Sequence, residues 1–246
     1  MTVTIPAETL RAVFKALNTQ VATVKVRPQD DGWHLYGKSP DNISIVDAHI
    51  RAEGFKAYER WDDFVVDTAD VLEPIAKASP QDDVIIDTGS GRLDIKVGRL
   101  SFRRKLVADI EVTPRMPELE LDAEFIIAAG GLDDILVAAS AAGDLRFKAL
   151  RLEQDEGALK VSIFADDTDI GTVAAELPAS EFIMLSGTAS ARYPAGMWVD
   201  MVRTIPKAAE ADVLYRRNFP MLVTYAVGGA DIRMMIAPQI ETEGDE

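Results

Sequence analysis

The feature that most constrains the fold is a repeat that covers the whole chain. A short strand and a helix, several strands, a second helix and three closing strands follow one another twice. The apolar helix pattern at Leu10 returns at Leu132, and the pattern at Val71 returns near Trp198. The closing segment "RLDIKVGRLSFRRKL" returns as "MLVTYAVGGADIRMMI". A period of roughly half the chain indicates a duplicated domain rather than a solenoid of small repeats.

Four amphipathic patterns predict two helices in each half. In "AETLRAVFKALNTQ", the side chains of Leu10, Val13 and Phe14 share one helix face. Thr68 is the expected N-cap of the second helix, "TADVLEPIAKAS", and Gly143 ends the third, "GGLDDILVAASAAG". The fourth pattern is "YPAGMWVDMVRTIPKA".

Most of the remaining sequence is typical of short antiparallel strands joined by turns such as "TGSGR" and "VGGAD". Between the halves, "DIEVTPRMPELELDAE" contains two prolines and no clean periodicity, which indicates an extended linker. We therefore predict an α+β fold with two similar domains, each with two helices packed on antiparallel sheets. The predicted domains are residues 1–108 and 124–246, the latter ending in a short acidic tail, and the connector is 109–123.

Composition excludes several classes of protein. The chain has 246 residues and no cysteine, so it has no disulfide framework, no thiolate nucleophile and no cysteine-based zinc site. The amino terminus "MTVTIPAETL" lacks the charged and apolar regions of a signal peptide. No apolar run approaches the length of a membrane span. We expect a soluble, intracellular protein with no membrane partner.

Catalytic chemistry is scarce. The two histidines, His34 and His49, lie in strand patterns, where a half-buried structural role is the better interpretation. The stretch "DDTDIG" at 166–171 faintly resembles a calcium loop but lacks the later ligands, and a solvated turn is the better interpretation. No phosphate loop or nucleophile elbow occurs. We predict no catalytic residue, no metal site, no cofactor and no enzymatic activity.

The charge distribution gives a mixed signal about nucleic acid. A formal net charge of −15 argues against a phosphate-backbone partner. Yet three of the four predicted helices carry cations off their apolar faces, where they could form a basic surface, although solvated helix faces are the usual interpretation. These cations are Arg11 and Lys15 on the first helix, Lys77 on the second, and Arg203 and Lys207 on the fourth, with Arg216 and Arg217 at a strand end.

Two strands have the character of sheet edges. "SFRRKLV" carries the consecutive cations Arg103, Arg104 and Lys105, and charge on an edge strand blocks promiscuous pairing. It could equally complement a partner edge. The candidate partner is "GTVAAEL" in the second half, with the interface residues Thr172, Ala174 and Glu176. A chain with one open edge at each end associates head to tail and can close into a ring.

Three features together resemble a known family. They are "SPDNISIVDAHIRAEGFKAYE" at 39–59, the duplicated layout with its connector, and the ending "NFPMLVTYAVGGADIRMMIAPQIE". Over essentially the full length, the chain resembles the archaeal and eukaryotic type of DNA polymerase sliding clamp, proliferating cell nuclear antigen. The resemblance implies a toroidal homotrimer of six similar domains whose helices line a channel around double-stranded DNA. It implies a processivity factor that binds DNA topologically and without sequence specificity.

The resemblance also assigns residues and partners. The cations of the helices, together with Arg216 and Arg217, would line the channel; the helix cations are Arg11, Lys15, Lys77, Arg203 and Lys207. Short peptide motifs of replicative polymerase, clamp loader, flap endonuclease and ligase would bind a groove between the connector and the C-terminal segment. The groove residues would be Asn42, Ile43, Met116, Leu119, Pro220, Met234, Met235, Ala237, Pro238 and Ile240. The implied location is the cytoplasm, at the nucleoid in an archaeon, or the nucleus in a eukaryote.

The sequence departs from the family pattern at two places. The third helix has Asp133 and Asp134 and no cation, and Lys38 stands where an apolar pocket residue is common. Two alternatives stay open. One is a clamp-fold subunit that assembles with non-identical paralogues, and the other, disfavoured by the missing chemistry, is an enzyme.

Overall fold

The computed structural model describes residues 2–89, 91–109, 116–155, 157–165 and 172–240. It divides into two compact units. The first comprises Met1–Pro117 with Ala226–Arg233, and the second comprises Glu118–Tyr225 with Met234–Glu246. The break at Pro117 falls inside the predicted connector, and 226–233 groups with the first unit. The predicted domain boundaries at 108 and 124 stay predictions.

Two helices and eight strands lie in the described part of 1–117. They are β1 (Thr2–Pro6), α1 (Ala7–Asn18), β2 (Thr23–Gln29), β3 (Gly32–Lys38), β4 (Ser44–Arg51), β5 (Phe64–Asp67), α2 (Thr68–Ile75), β6 (Asp83–Gly89), β7 (Arg92–Val97) and β8 (Leu100–Lys105). A short 3-10 helix, Ala52–Gly54, follows β4.

The first unit builds two antiparallel sheets under its helices. One has the strand order β1-β6-β7-β8, and in the other β4, β3, β2 and β5 are successive neighbours. Alternate residues of these strands are buried, as Val3 and Ile5 are in β1, and α1 and α2 pack against each other and on this core. An aromatic cluster closes one end, where the ring of Trp33 lies 5.2 Å from Phe55 and 5.6 Å from Trp61.

The second half repeats the order of elements. They are β9 (Ala123–Ala128), α3 (Asp133–Ala141), β10 (Ala149–Gln154), β11 (Ala158–Phe164), β12 (Val173–Pro178), β13 (Met184–Ser186), β14 (Ala189–Pro194), α4 (Ala195–Val202), β15 (Glu210–Tyr215), β16 (Met221–Val227) and β17 (Ala230–Ile236). 3-10 turns at Ala129–Leu132 and Ala179–Glu181 precede α3 and follow β12.

The second unit has its own pair of antiparallel sheets. One has the order β12-β11-β10-β14, and in the other β13, β9, β15 and β16 are successive neighbours. Its core includes the buried rings of Phe125, Tyr193 and Trp198. The buried amide of Gln154 donates to Ser186 O at 2.5 Å, which joins the two sheets. The predicted α+β class, with two helices and antiparallel sheets in each half, is confirmed.

The helix ends differ from the prediction. The N-cap of α2 is Asp67, whose carboxylate accepts from Ala69 N at 2.9 Å, so the predicted cap Thr68 is wrong. Thr68 is the buried first residue of the helix, and its hydroxyl donates to Asn18 Oδ1 at 2.8 Å. The third helix does end just before Gly143, which has φ +77°.

Two predicted helices are also shorter than their sequence patterns. Helix α2 ends at Ile75 and α4 at Val202, several residues before the predicted ends. Lys77 and Lys207 therefore lie in the turns beyond these helices, and their predicted placement on the second and fourth helices is wrong. Across the described residues, no helix is both long and apolar enough to cross a membrane.

Candidate functional site

The predicted cations of the first unit have different environments. Helix α1 buries most of its surface, and Arg11 and Lys15 both lie on its narrow outward seam. Lys15 is exposed, whereas the guanidinium of Arg11 is half-buried and donates to Ile75 O at 2.8 Å and to Ala78 O. Ile75 is the last residue of helix α2 and Ala78 lies in the turn beyond it, so the guanidinium is at the C-terminal end of the helix, where a cation is favoured. Arg11 therefore joins the two helices, while Lys15 and Lys77 project their charges to solvent.

The cations of the second unit are mostly paired with acids. Lys207 Nζ lies 2.5 Å from Asp133 Oδ2, and Arg203 lies 3.6 Å from Asp200. Arg216 contacts Asp122 at 3.1 Å, and its guanidinium stacks 4.7 Å from the ring of Phe219. Arg217 is exposed. The positive charge of this unit is thus partly neutralised by its own carboxylates.

Helix α3 presents a surface unlike that of α1. Its exposed positions include Asp134 and Val137, and the Val137 side chain is 67% exposed. Asp133 is occupied by the ion pair with Lys207. The outward face of α3 therefore offers acidic and apolar groups, and its sequence contains no cation.

Strand β8 is an edge strand among the described residues, because β7 is its only neighbour in the sheet. The strand alternation separates its two arginines. Arg104 lies opposite buried Leu93 on the helix side and contacts Asp70 at 3.1 Å and Glu73 at 2.6 Å on α2. Arg103 lies on the other face, 69% exposed, and contacts Asp94 at 2.8 Å. Only Arg103 and its same-face neighbour Lys105 leave their charges accessible at this edge.

Strand β12 is the corresponding edge in the second unit, again among the described residues, and it pairs with β11 alone. Ala174 and Glu176 are exposed, and Thr172 immediately precedes the strand. Helix α3 packs beside this edge, so the exposed Val137 belongs to the same region of the unit. Among the described residues, each unit therefore has an edge strand with one free side next to its helices, β8 with accessible cations in the first unit and β12 with none in the second.

Of the predicted peptide-contact residues in the first unit, Asn42 and Ile43 lie in a closed turn. Asn42 adopts φ +61°, and its N–H donates to Ser39 O at 2.9 Å. The Asp41 carboxylate accepts from Ser39 Oγ at 2.5 Å and from Ile43 N at 3.2 Å, and these bonds hold the pKa of Asp41 below its usual range. The turn therefore presents Asn42 and half-buried Ile43 in a fixed conformation.

Two other residues of the first unit bear on the same prediction. Met116 is half-buried. Lys38 is exposed at the end of β3, so the departure from the family pattern places a charge near the turn.

In the second unit the accessible residues are fewer than predicted. Met234 and Met235 are only 1% and 4% exposed, so their side chains belong to the core. Beyond them Ala237 and Pro238 are half-buried, and Ile240 is 66% exposed. Leu119 and Pro220 are also half-buried.

The C-terminal segment is attached to its unit by the backbone. Gln239 N donates to Arg192 O at 2.8 Å, which places the segment beside β14. An exposed isoleucine on a segment fixed in this way is available to a partner molecule.

The structure also brings together residues that the sequence left apart. His34 and His49 are cross-strand partners in β3 and β4, and their rings stack at 4.2 Å. Strand alternation predicts which face of its strand each histidine lies on, but only the β3–β4 register shows that the two residues are opposite each other. The other weak candidate for chemistry, the acidic stretch at 166–171, lies outside the described residues.

Known proteins resemble the chain along its whole length. A DNA polymerase sliding clamp of Natronomonas pharaonis is 27% identical over 247 residues, which cover 97% of this chain and 98% of that protein. A DNA polymerase sliding clamp of Archaeoglobus fulgidus is 25% identical over 252 residues, covering 98% and 99%. No family model matches the chain.

Solved structures give the same result for the fold. A. fulgidus PCNA, determined with the C-terminal region of FEN-1, has a TM-score of 0.85 at 22% identity and covers 98% of this chain and 99% of that one. A chain of the PCNA2–PCNA3 complex of Sulfolobus tokodaii has a TM-score of 0.84 at 17% identity, covering 98% and 100%. The similarity therefore includes both units.

Proposed function

We propose that this chain is a DNA polymerase sliding clamp of the proliferating cell nuclear antigen (PCNA) type. Its fold is the sliding-clamp fold, and proteins named as sliding clamps match it from end to end. A clamp is a processivity factor and not an enzyme, since it works by encircling DNA and tethering polymerase. The observation that carries this function is the match over nearly the full length, 97% of this chain and 98% of the N. pharaonis protein.

We propose a homotrimeric ring joined head to tail through β8 of one copy and β12 of the next. Each is an unpaired edge within the described residues, so backbone hydrogen bonds can extend one sheet into the other. Accessible Arg103 and Lys105 face an edge that carries Glu176 and no cation. Because the two edges differ, the contact is heterologous, and such contacts close into rings when the rotation allows.

We assign DNA contact to the exposed cations of the predicted set, namely Lys15, Lys77, Arg203, Lys207 and Arg217. Arg11 and Arg216 are half-buried and act mainly through their own intramolecular contacts. Few phosphate contacts suit a ring that must slide, since each contact adds affinity without sequence information. The acidic remainder of a chain with net charge −15 keeps DNA away from other surfaces.

We assign partner-peptide binding to the accessible residues of the predicted set, namely Asn42 and Ile43 in the first unit and Ala237, Pro238 and Ile240 in the second. Support comes from the A. fulgidus PCNA structure, which holds the C-terminal region of FEN-1. We extend this mode of binding to replicative polymerase, clamp loader and ligase. The protein works where the cell keeps its DNA, in the cytoplasm of an archaeon or the nucleus of a eukaryote.

The test of function is DNA synthesis on a circular primed template with a cognate polymerase and clamp loader. We expect long products that require both this chain and the loader. Products of unchanged length, with or without the chain, would overturn the proposal.

A second candidate is a clamp subunit that assembles only with non-identical paralogues. The observation that favours it is the structural similarity to a chain of the PCNA2–PCNA3 complex. The two candidates differ in the mass of the purified chain. A homotrimer has about three times 26.8 kDa, whereas a paralogue-dependent subunit reaches that assembly only after other chains are added.

A further inference from the structure

The two histidines of the chain form one cluster in the first unit. His34 on β3 lies directly opposite His49 on β4, and the rings are 4.2 Å apart and inclined by only 14°. Their side chains are 34% and 28% exposed, so solutes can reach the ring edges. Stacking alone explains parallel rings but not why both Nε2 atoms converge on one carboxylate.

That carboxylate is Asp31, in the turn between β2 and β3. His34 Nε2 lies 3.0 Å from Asp31 Oδ1. His49 Nε2 lies 3.6 Å from Asp31 Oδ2 and closer, at 3.2 Å, to the backbone oxygen of Asp31. One ligand atom from each of the three residues lies within 4.8 Å of the other two. The three side chains thus point their donor atoms at a common small volume.

The backbone fixes Asp31 in this position. Its carbonyl accepts from Ala52 N at 2.7 Å, which ties the turn to the end of β4. The next residue, Gly32, has φ +134°, and an added Cβ would lie 2.0 Å from Ile50 O. Only glycine permits this close approach of the turn to β4. The convergence of the three ligands therefore rests on sheet register and a fixed turn.

We propose that Asp31, His34 and His49 form a binding site for a divalent transition-metal ion of the Zn²⁺ class. Imidazole nitrogen and carboxylate oxygen are ligands that Zn²⁺ prefers, with metal–ligand distances of about 2.0–2.2 Å. Tetrahedral geometry at those distances separates neighbouring ligand atoms by about 3.3 Å. The separation of His34 Nε2 from Asp31 Oδ1, 3.0 Å, is close to that value, and His49 Nε2 lies 3.6 Å from the other carboxylate oxygen.

The coordination has three consequences. Both rings must be neutral, with the proton on Nδ1, so protons compete with the metal. One ring must turn out of the stack on binding, because two stacked rings inclined by 14° cannot both direct their in-plane Nε2 lone pairs at one ion. Three protein ligands also leave one tetrahedral position open, for water or for a donor group of another molecule. Arg27 on β2 is the cross-strand neighbour of His34. Its guanidinium lies 3.9 Å from Asp63, and this carboxylate reduces its repulsion of a bound cation.

Isothermal titration calorimetry of the untagged chain with ZnCl₂ near pH 7.5 tests the site. We expect one equivalent of Zn²⁺ per chain, and the affinity should fall at least tenfold in His34→Asn, in His49→Asn and in Asp31→Asn. Asp144→Asn is the matched control, since it removes an exposed carboxylate of the second unit that no histidine contacts. Circular dichroism of every variant checks that it folds.

Two spectroscopic measurements identify the ligands. Because the chain has only two histidines, ¹⁵N NMR should show just four imidazole nitrogen signals, two from each ring, and both Nε2 resonances should shift on addition of Zn²⁺. Co²⁺ in place of Zn²⁺ should give visible absorption of the intensity expected for four-coordinate cobalt, and binding should weaken in acid because protons compete with the metal for its ligands.

Two results would overturn the proposal. One is the absence of stoichiometric binding to the folded wild-type chain. The other is binding that His34→Asn and His49→Asn leave unchanged, which would show that Zn²⁺ binds elsewhere and that the three residues form only a hydrogen-bonded stack.

Discussion

Arg103 and Arg104 are neighbours in sequence, yet they act on opposite faces of β8. Arg104 is held by Asp70 and Glu73 of α2, whereas Arg103 and Lys105 are accessible at the sheet edge. We predict that Arg103→Glu weakens self-association at least tenfold and leaves the thermal unfolding midpoint unchanged, because exposed ion pairs contribute little to stability. Arg104→Glu should lower both the association constant and the thermal unfolding midpoint, because it places a third carboxylate beside those of Asp70 and Glu73.

Sedimentation equilibrium and thermal unfolding of each variant separate these effects. Lys96→Glu is the matched control, since Lys96 is exposed on the inner strand β7 of the same sheet and away from the free edge. Equal association constants for wild type and Arg103→Glu would contradict the assignment of this edge.

The turn that carries Asn42 and Ile43 should be sensitive to pH through Asp41. The pKa of Asp41 is lowered in the folded chain, first by the Ser39 hydroxyl and then by Ile43 N. Its contribution to stability is therefore present above the unfolded pKa of about 3.9 and is lost as the pH falls through the lower folded value. Asp41→Ala should be less stable than wild type at pH 7, and the difference should shrink as the pH falls below the unfolded pKa of about 3.9.

Chemical denaturation across that pH range measures the effect. Asp62→Ala serves as a control at an exposed aspartate outside the turn. A stability difference between wild type and Asp41→Ala that is the same at pH 7 and pH 3 would show that the carboxylate hydrogen bonds do not stabilise the turn.

At the scale of elements, a part-buried hydrogen bond joins helix α1 to the turn after β16. The Thr9 hydroxyl donates to Gly228 O at 2.7 Å, and a Cβ on Gly228 would lie 2.2 Å from Thr9 Oγ1. Gly98 has nearly the same backbone angle, φ +57° against +53°, but open space around it. Gly98→Ala should cost about 1–2 kcal/mol from the left-handed backbone alone.

We predict that Gly228→Ala costs at least about 1–3 kcal/mol more, because Thr9 must move and its hydrogen bond is lost. Denaturant unfolding of the two variants side by side gives the difference. Equal losses would show that the contact between α1 and this turn does not stabilise the first unit.

The C-terminal segment gives a second prediction at this scale. Met234 and Met235 are core residues, while Ile240 lies exposed beyond a backbone bond to β14. Truncation after Ala237 should leave the oligomer intact and weaken binding of a short clamp-binding peptide, and Ile240→Ala should weaken it about tenfold. Ile183→Ala, at another exposed isoleucine of the second unit, should have no effect.

Fluorescence anisotropy of a labelled peptide measures this binding, and size-exclusion chromatography with light scattering follows the oligomer. Undiminished peptide affinity after truncation would remove Ala237–Ile240 from the binding surface.

Elements were more predictable than their ends. The apolar spacing around Leu10 specified α1 because that spacing is local. Helix α2 ends at Ile75 and α4 at Val202. The turns that follow contact residues distant in sequence, as Ala78 O contacts Arg11, and no local pattern records such contacts. Met234 and Met235 were predicted in the peptide groove, but the last strand buries both side chains. Their burial depends on the packing of that strand, which no local pattern records.

For the whole molecule, the duplication, the two edge strands and the resemblance predicted the fold and the function class, since all three are properties of long stretches of sequence. The cluster of Asp31, His34 and His49 was not predicted, because it depends on which residues face each other across β3 and β4. The partial neutralisation of the predicted DNA-contact cations was also invisible, since it depends on pairs such as Lys207 with Asp133, which are distant in sequence.

The central claim is that the chain holds DNA by encircling it. Its most direct test is retention of the loaded chain on a nicked circular plasmid during a high-salt wash, followed by linearisation. Salt removes electrostatic contacts with phosphate but not a topological link. We predict that the chain stays on the circle through the wash and is released when the plasmid is cut. Loss during the wash, or retention on the linear DNA with free ends, would contradict the account.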